Sequence, residues 1–360
     1  MRDLSEIRLK INEIDDKMRV LFEERMNAVR EVAEYKKANG LPILDTERER
    51  DLLEMNAVKI EDESLRPYYV SFLESNMANS RRYQDMLING IKIAYSGAMG
   101  AFAYIATCKL FPNASRIAYP NFEAAYTACA QGECDIAVLP IENSVGGEVG
   151  AVSDLMFSGP LKVNGVVEID VAHCLLGKPG SVRSEIREVV SHPQALAQCR
   201  PYIREHGFSE REYENTALAA EFVSKGDDPT VAAIASAEAA SIFGLDILEK
   251  NINESRSNTT RFAVFSRSEH KHEKSDTGVH SILLFTVKNE AGSLAKALDI
   301  IGKHGFNMRV LRSRPMKSLM WQYYFYIEIE GNANSKEGKR MIEDLEEFCD
   351  KIKIVGSYVN

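Results

Sequence analysis

The sequence predicts a multidomain protein made of an all-α helical module, then an α/β domain, then a ferredoxin-like βαββαβ domain. The length of 360 residues corresponds to two or three domains. Before residue 91, glycine occurs only at Gly40 and Gly90, and apolar residues recur at helical spacing. From Ile91 onward, short segments rich in Val, Ile and Ala alternate with helical patterns, which is typical of a largely parallel α/β sheet.

The composition is that of a soluble globular chain, with 45% apolar and 27% charged residues. The net charge of −9 disfavours a general grip on phosphate backbones, so we expect no nucleic-acid partner. The first residues contain no apolar leader, and the uncharged stretch from Ile93 to Cys108 is only sixteen residues long and interrupted by glycine. We therefore expect no membrane partner and a cytoplasmic location.

Metal and disulfide chemistry are not indicated. The six cysteines form no C-x-x-C pair, so we expect reduced and mostly buried thiols. His270 and His272 form a His-x-His pair in a charged stretch without a second ligand pair, which favours a solvated linker over a metal site. We expect no metal and no cofactor.

The helical module begins with apolar residues in steps of three and four: Leu4, Ile7, Ile11, Ile14, Met18 and Leu21. This spacing predicts one long helix to about Lys37. The turn at residues 39–42 ends it, Asp45 and Thr46 begin a second helix, and a third runs from about Glu63 to Leu87.

Two cations lie on the apolar face of the first helix. Arg25 continues the apolar stripe, and Lys36, eleven residues later, returns to the same face. A buried cation is costly unless it is paired, so this face must meet carboxylates of the protein or of a ligand. Asp45 and Glu49 are the protein candidates, and a helical bundle with an internal salt-bridge network is the alternative to a catalytic pocket.

The full set of polar positions resembles the all-helical chorismate mutase family over roughly residues 4 to 87: Arg8, Arg25, Lys36, Asp45, Arg48, Glu49, Ser80 and Gln84. The resemblance implies rearrangement of chorismate to prephenate without a nucleophile or cofactor, which requires only clamping and charge stabilisation. It further implies a role for each position. Arg8, Arg25 and Arg48 would hold carboxylates with help from Ser80, Lys36 and Gln84 would face the ether oxygen, and Asp45 and Glu49 would orient the ring hydroxyl.

Arg8 and Arg25 are too far apart to touch one small ligand in one chain. They are seventeen residues apart, hence about 25 Å along the helix and about 100° around it. If both line one pocket, Arg8 must come from another chain, which predicts a homodimer or a higher homo-oligomer. The alternative is that Arg8 is a surface cation near Glu13 or Asp15.

The middle segment places two groups of polar residues directly after strands, where ligands of open α/β sheets gather, and a third group, which includes Phe262, just before a strand. Three groups stand out: Glu142, Asn143 and Ser144; Ser191, His192, Gln194 and Gln198; and Thr259, Thr260, Arg261 and Phe262. Each group alone suits helix capping or a turn.

Together, the PIEN, SHPQ and TRF segments over residues 91 to 267 resemble prephenate dehydratase. The resemblance implies two α/β lobes like a type II periplasmic binding protein, with the site in the cleft between them. There, prephenate would lose carbon dioxide and its ring hydroxyl. Thr260 is the first choice for donating a hydrogen bond to the leaving hydroxyl, with Arg261 and Phe262 shaping the site, and the other polar residues are candidate binding or acid groups. A raised pKa would suit Glu142 as a general acid.

One loop departs from the family pattern. The stretch after the first strand reads YSGAMGAFAYIA, so Ala98, Ala101 and Ala103 stand where the family carries other residues, including a hydroxyl. Gly97 and Gly100 keep a turn whose N–H groups could receive an anion. The missing hydroxyls leave open the alternative of a mutase whose dehydratase activity has lapsed.

The last segment reads strand, helix, two strands, helix and strand, and it resembles the ACT domain over about residues 278 to 358. The family's motifs appear here as Gly292, Ser293 and Leu294, and as Arg312, Ser313, Arg314 and Pro315, with arginine in place of a glutamate. The resemblance implies L-phenylalanine as an effector at these residues.

The sequence thus predicts domains at residues 1–89, 90–268 and 278–360. They would form a bifunctional enzyme of phenylalanine biosynthesis that makes prephenate and then phenylpyruvate, carbon dioxide and water. A dimeric ligand sensor without catalysis is the alternative from another class.

Overall fold

The computed structural model describes residues 3–255, 257–270, 278–316 and 323–359. The chain forms two compact units, Met1–Ile91 and Lys92–Asn360. The polar linker around His272 and residues 317–322 lie outside the described residues.

Three helices build the first unit, as predicted: α1 (Leu4–Asn39), α2 (Thr46–Ala57) and α3 (Arg66–Asn89). Gly40 ends α1 in the left-handed conformation, with φ at 63°, which glycine adopts without strain. The Asp45 side chain caps α2 by accepting a hydrogen bond from the Arg48 N–H. A single 3₁₀ turn, Glu63–Leu65, precedes α3, so the third helix begins slightly later than predicted.

Only the second half of α1 is covered within its own unit. Val29 and Ala33 are buried, as are Met77, Ser80 and Gln84 on α3. The apolar stripe of the first half stays exposed: Leu4, Ile7, Ile11, Ile14, Met18 and Leu21. The predicted apolar face is therefore present, but α3 is too short to cover it.

The second unit begins with an α/β lobe. Its strands are β1 (Lys92–Ser96), β2 (Ser115–Tyr119), β3 (Ile136–Asn143), the short β4 (Gly147–Glu148) and β5 (Lys162–Asp170). Its helices are α4 (Phe102–Leu110), α5 (Phe122–Gln131) and α6 (Gly150–Ser158).

A second α/β lobe follows. Its strands are β6 (Cys174–Gly177), β7 (Glu188–Ser191), β8 (Ser209–Glu212), β9 (Val231–Ala235) and β10 (Asp246–Glu249), in the order β10-β6-β9-β7-β8. Its helices are α7 (Pro193–Gln198), α8 (Arg200–His206), α9 (Thr216–Lys225) and α10 (Ala237–Phe243).

The chain then crosses back to the first lobe, where β11 (Thr259–Ser266) inserts between β3 and β5. It runs antiparallel to both neighbours, and β6 likewise runs antiparallel to β9 and β10. The two-lobed α/β fold is therefore confirmed, but the prediction of largely parallel sheets is wrong. The two strands that follow a passage between the lobes, β6 and β11, run in the direction opposite to their neighbours.

The last segment has the predicted βαββαβ order: β12 (Val279–Val287), α11 (Ser293–Lys303), β13 (Asn307–Pro315), β14 (Tyr323–Glu330), α12 (Lys336–Glu346) and β15 (Cys349–Val359). It is joined to the first lobe, because β15 pairs with β5 where Gly356 meets Val163. One ten-stranded sheet results. Tyr324, Tyr326 and Tyr358 pack in one hydrophobic core with side chains of the first lobe.

His304, at the end of α11, ties the two helices of this segment together. Its Nδ1 lies 2.6 Å from Glu337 Oε1 and its Nε2 lies 2.7 Å from Asp344 Oδ2. These carboxylates raise the pKa of His304.

Within the described residues, no helix has the length and apolar character needed to cross a membrane. Among those same residues, no group of three or more His, Cys, Asp and Glu side chains is arranged to hold a metal ion. All six cysteines are free thiols, and four of them are buried.

Candidate active sites

A cavity of about 620 Å³ opens between α1, α2 and α3. Its lining includes seven of the eight predicted mutase residues: Arg25, Lys36, Asp45, Arg48, Glu49, Ser80 and Gln84. Arg8 is exposed on the first half of α1 and is not part of this lining.

Arg25 is held against α3 by neutral acceptors. Its Nη1 donates to Ser80 Oγ and, at 3.4 Å, to the Asn76 carbonyl oxygen. Ser80 in turn donates to the same carbonyl at 2.8 Å. Burial lowers the pKa of Arg25. No carboxylate of the described residues forms an ion pair with this guanidinium, which leaves its charge for an anionic ligand.

Lys36 is also anchored without a carboxylate. Its Nζ donates to the Ile43 carbonyl oxygen at 2.6 Å. Of the two carboxylates that could have neutralised these cations, Asp45 caps α2 and Glu49 pairs with Arg81. The alternative of an internal salt-bridge network between Arg25, Lys36, Asp45 and Glu49 is therefore not what the structure contains.

Gln84 completes the polar lining. The residue is only 7% exposed, and its Oε1 is buried with no hydrogen-bond partner among the described residues. A buried acceptor without a partner is costly, so a ligand hydroxyl that donates to Oε1 would supply this missing hydrogen bond, while Nε2 stays available as a donor. Sequence reasoning missed Arg81, although it directly follows Ser80.

A second cavity, of about 410 Å³, lies in the cleft between the two lobes of the second unit. Gln194 and Gln198 line it from α7, and Asn258 lines it from the segment between β10 and β11, where the chain returns to the first lobe. Gly146, on the opposite wall, lies so close to Gln194 that an added Cβ would come within 2.9 Å of its Nε2. The lobes therefore approach each other closely at this point.

Asn143 organises the first-lobe wall of this cleft. Its Oδ1 accepts from the main-chain N–H groups of Val145 at 3.0 Å and Gly146 at 2.7 Å. Its Nδ2 donates to Thr260 Oγ1 at 2.9 Å and to Asn258 Oδ1 at 2.8 Å. Because Thr260 accepts from Asn143, its own hydroxyl proton remains free to be donated.

Thr260 and the remaining residues of these motifs support the cleft but are not among the residues that line this cavity. Ser144 and Thr259 close the turn, since Ser144 Oγ donates to the Ser257 carbonyl and accepts from the Thr259 N–H. Ser191 is fully buried and donates to the Ile234 carbonyl at 2.6 Å. His192 caps α7, and Phe262 is buried in the core of the first lobe.

Glu142 and Arg261 belong to a charged network. Arg261 lies 3.2 Å from Glu142, 3.1 Å from the fully buried Glu328 and 2.7 Å from the Tyr358 hydroxyl. Arg312, from β13, also forms an ion pair with Glu142. Partial burial raises the pKa of Glu142, but Arg312 and Arg261 outweigh it, and the net effect is a lowered pKa. A raised pKa, which a general acid would need, is not found.

The two predicted effector motifs are not brought together in one chain. Gly292 precedes α11 in the left-handed conformation, and Leu294 lines a small cavity of about 200 Å³. Arg312 and Arg314 instead face the first lobe, where Arg314 Nε lies 3.3 Å from Asp154. Ser313 and Pro315, which alternate with them along β13, are exposed.

Comparison with known families now defines the class. Residues 7–85 match chorismate mutase type II, and residues 93–270 match prephenate dehydratase. A "Bifunctional chorismate mutase/prephenate dehydratase" of Aquifex aeolicus is 30% identical, with 99% of this chain and 98% of that protein aligned.

Two solved structures resemble about three quarters of this chain. The prephenate dehydratase of Arthrobacter aurescens, described in complex with L-Phe, has a TM-score of 0.70 and 27% identity over 75% of this chain and 90% of that one. A protein described as a novel type of quorum-quenching acylase has a TM-score of 0.69 and 33% identity over 74% of this chain and 97% of that one. The fold alone thus does not define one activity.

The chain belongs to the family of bifunctional chorismate mutase/prephenate dehydratases. It is an enzyme that rearranges chorismate to prephenate and converts prephenate to phenylpyruvate, as the motifs implied. This supports the bifunctional interpretation over a lapsed dehydratase or a sensor without catalysis.

Proposed function

We propose that the cavity of the first unit rearranges chorismate and that the cleft of the second unit dehydrates and decarboxylates prephenate. In this proposal residues 1–89, 90–268 and 278–360 are the mutase, dehydratase and regulatory parts. The observation that carries it is the pair of cavity-lining cations, Arg25 and Lys36, anchored only to neutral oxygens. Because neither cation has a carboxylate partner, a dicarboxylate is the ligand that would neutralise both.

The mutase reaction is unimolecular, so the residues need only hold one conformer and stabilise developing charge. Arg25 and Arg48 bind carboxylates, and Ser80 fixes Arg25. Lys36 and Gln84 donate to the ether oxygen, on which negative charge grows as its bond to carbon breaks. Asp45 and Glu49 orient the ring hydroxyl.

Arg8 does not line the cavity of its own chain, so we assign this position to the Arg8 of a second copy. The enzyme is then at least a homodimer. The exposed apolar half of α1 and an apolar groove of about 750 Å³, lined by Met18, Leu21, Phe22, Tyr69 and Phe72, supply a surface for it. A two-fold pairing of α1 helices delivers the partner's Arg8 to this chain's cavity.

Mixing variant chains tests this arrangement. Arg8→Ala and Arg25→Ala chains, each inactive as a mutase, recover part of the activity after chain exchange, because one pocket of each mixed dimer is intact. Absence of recovery, with exchange demonstrated by mass spectrometry, rules out the shared pocket.

In the dehydratase cleft, Thr260 donates its free hydroxyl proton as a hydrogen bond to the ring hydroxyl of prephenate. The ring carbon–carboxylate bond breaks, carbon dioxide leaves, and its electron pair enters the ring while the carbon–hydroxyl bond breaks. The departing hydroxyl takes up one proton from solvent water in the cleft and leaves as water, and aromatisation drives the step. Gln194 and Gln198 bind the substrate from the opposite lobe.

L-phenylalanine is the proposed effector, supported by the related dehydratase described in complex with L-Phe. It binds at the Gly292, Ser293 and Leu294 turn, where helix N–H groups receive its carboxylate. Because the two motifs lie apart within one chain, we assign Arg312, Ser313, Arg314 and Pro315 of a second copy of the chain to the same site, and the Arg312 to Glu142 ion pair carries the signal to the cleft of that copy. The six free thiols suit the reducing cytoplasm, where we place the enzyme.

Assays on the purified full chain test the whole proposal. Prephenate and phenylpyruvate are followed separately after addition of chorismate, and calorimetry measures L-phenylalanine binding. Both products form, and L-phenylalanine binds and slows phenylpyruvate formation. Accumulation of prephenate alone contradicts the dehydratase assignment. A calorimetric titration without heat of binding contradicts L-phenylalanine as the effector.

A further inference from the structure

His173 is a buried histidine to which the mechanism above gives no role. It lies on the first crossing between the lobes, between β5 and β6, and is 2% exposed. Its main-chain N–H donates to Asn253 Oδ1 at 3.0 Å, and its carbonyl accepts from the Ile252 N–H at 2.9 Å. Phe102 packs edge-on against the ring, with centroids 5.8 Å apart. The imidazole is therefore fixed where the two crossings meet.

A chain of side-chain hydrogen bonds connects this ring to the cleft. His173 Nε2 lies 3.0 Å from Gln198 Oε1, which also lies 3.0 Å from Asn258 Nδ2. Asn258 Oδ1 accepts from Asn143 Nδ2, which also donates to Thr260. We call His173, Gln198, Asn258, Asn143 and Thr260 the polar chain.

The direction of every hydrogen bond in the polar chain follows from its Asn143 end. Two main-chain N–H groups, which can only donate, face Asn143 Oδ1, so the amide nitrogen must face Asn258 and Thr260. Asn258 therefore presents its oxygen to Asn143 and its nitrogen to Gln198. Gln198 accepts that hydrogen bond with its oxygen, and the same oxygen faces His173.

This order requires a proton on His173 Nε2. If the proton were on Nδ1, the lone pair of Nε2 would face the Gln198 oxygen. Rotating the Gln198 amide would not help, because its nitrogen would then oppose the Asn258 nitrogen. Nδ1 is buried without a partner among the described residues, and burial lowers the pKa of the ring, both of which accord with a neutral imidazole.

We propose that His173 is a positioning residue of the dehydratase, whose Nε2–H closes the polar chain and thereby keeps the Gln198 amide nitrogen free for substrate in the cleft. Its role is to hold the orientation of Gln198 and Asn258 and, through them, the hydrogen-bonding state of Thr260. The inference rests on the proposed function, since it takes Thr260 as the donor to the leaving hydroxyl.

Two substitutions separate orientation from packing. His173→Leu removes the N–H, whereas His173→Gln retains an amide N–H that reaches the same oxygen. We expect His173→Leu to lower the dehydratase kcat roughly tenfold, the effect of about one net hydrogen bond, and to raise KM as well, because Gln198 binds the substrate. His173→Gln recovers most of the kcat. Mutase activity stays at the parent level in both variants.

His280→Leu is the matched control. His280 is also a buried histidine, 7% exposed, but it contacts Arg309 and lies outside the polar chain. It should leave the dehydratase kcat nearly unchanged. Equal losses in His173→Leu, His173→Gln and His280→Leu would show that only packing matters and would overturn the proposal.

The tautomer is measured directly by ¹⁵N NMR of the full chain with labelled histidine, using His173→Gln to assign the signal. The expected spectrum at pH 7 has a protonated Nε2 and a bare Nδ1, and the opposite tautomer overturns the proposal even if His173→Leu does not fold. Thr260→Val serves as the second reference. If it remains active, the proposed function fails, whereas an inactive Thr260→Val with a normal His173→Leu refutes only the inference.

Discussion

Replacing Thr260 by valine is a sharp test of the dehydratase site. Valine keeps the β-branched shape on β11 and removes only the hydroxyl, on a residue that is 9% exposed. The Asn143 amide, which donates to this hydroxyl, retains Asn258 Oδ1 at 2.8 Å and the Thr259 carbonyl at 3.3 Å as acceptors. No buried donor is left without a partner, so we expect a stability loss of only about 1 kcal/mol.

The expected effect on catalysis is much larger. A donor that faces developing charge in a transition state contributes about 3 to 4 kcal/mol in comparable sites, which corresponds to a loss of about a hundredfold to a thousandfold in kcat. Thr260→Ser keeps the hydroxyl and should stay within about tenfold of the parent enzyme. The loss of transition-state stabilisation thus exceeds the loss of folding stability by about 2 kcal/mol or more, which a folding defect would not produce.

The assay follows phenylpyruvate from added prephenate over a range of concentrations, with mutase activity and the melting temperature measured on the same preparations. The parent rate of prephenate formation is the control for intact protein. A folded Thr260→Val that converts prephenate at nearly the parent rate, or a Thr260→Ser as inactive as the valine variant, refutes the role of the hydroxyl.

Three further predictions address other parts of the molecule. Lys36→Ala should lower mutase turnover about a hundredfold or more and leave dehydration of added prephenate unchanged, and equal losses would contradict separate sites. The raised pKa of His304 implies a contribution to stability that is present below its unfolded pKa of about 6.5 and is lost as pH rises through the folded pKa. The denaturation midpoint of the parent should therefore fall between pH 5.5 and pH 8 by more than that of His304→Gln. An identical pH dependence of the two midpoints would exclude the contribution. Arg312→Gln should destabilise the second unit by about 1 to 2 kcal/mol, because Glu142 loses one of its two partners, whereas the exposed Ser313→Ala should not; equal denaturant midpoints would show that the pair is dispensable.

The helical unit was predictable because its information is local. Spacing at three and four residues fixes the helices, and the same spacing places Arg25 and Lys36 on the inner face. The ion pair between Glu49 and Arg81 was not predictable, because it joins two helices whose relative rotation leaves no trace in the spacing.

In the second unit, the sequence identified strands but not their partners. A Val- and Ile-rich run reads the same whether its strand runs parallel or antiparallel, so the insertion of β11 could not be seen. The same limit applies to the site. Thr260 and Asn143 were both candidates, but their contact depends on the register of β11 against β3. The pKa direction of Glu142 depends on Arg312, 170 residues further along the chain.

The pairing of Gly356 with Val163 has a consequence for how the protein is made. The edge of β5 is completed by β15, almost 180 residues further along the chain, and a Cβ on Gly356 would collide with the Val163 carbonyl. An emerging polypeptide therefore carries an unpaired edge of β5 until β15 has been synthesised, and such edges recruit other chains. A chain truncated before β15 would leave that edge open permanently. Point substitutions in the last segment that spare Gly356 preserve this pairing and are the better way to probe that segment.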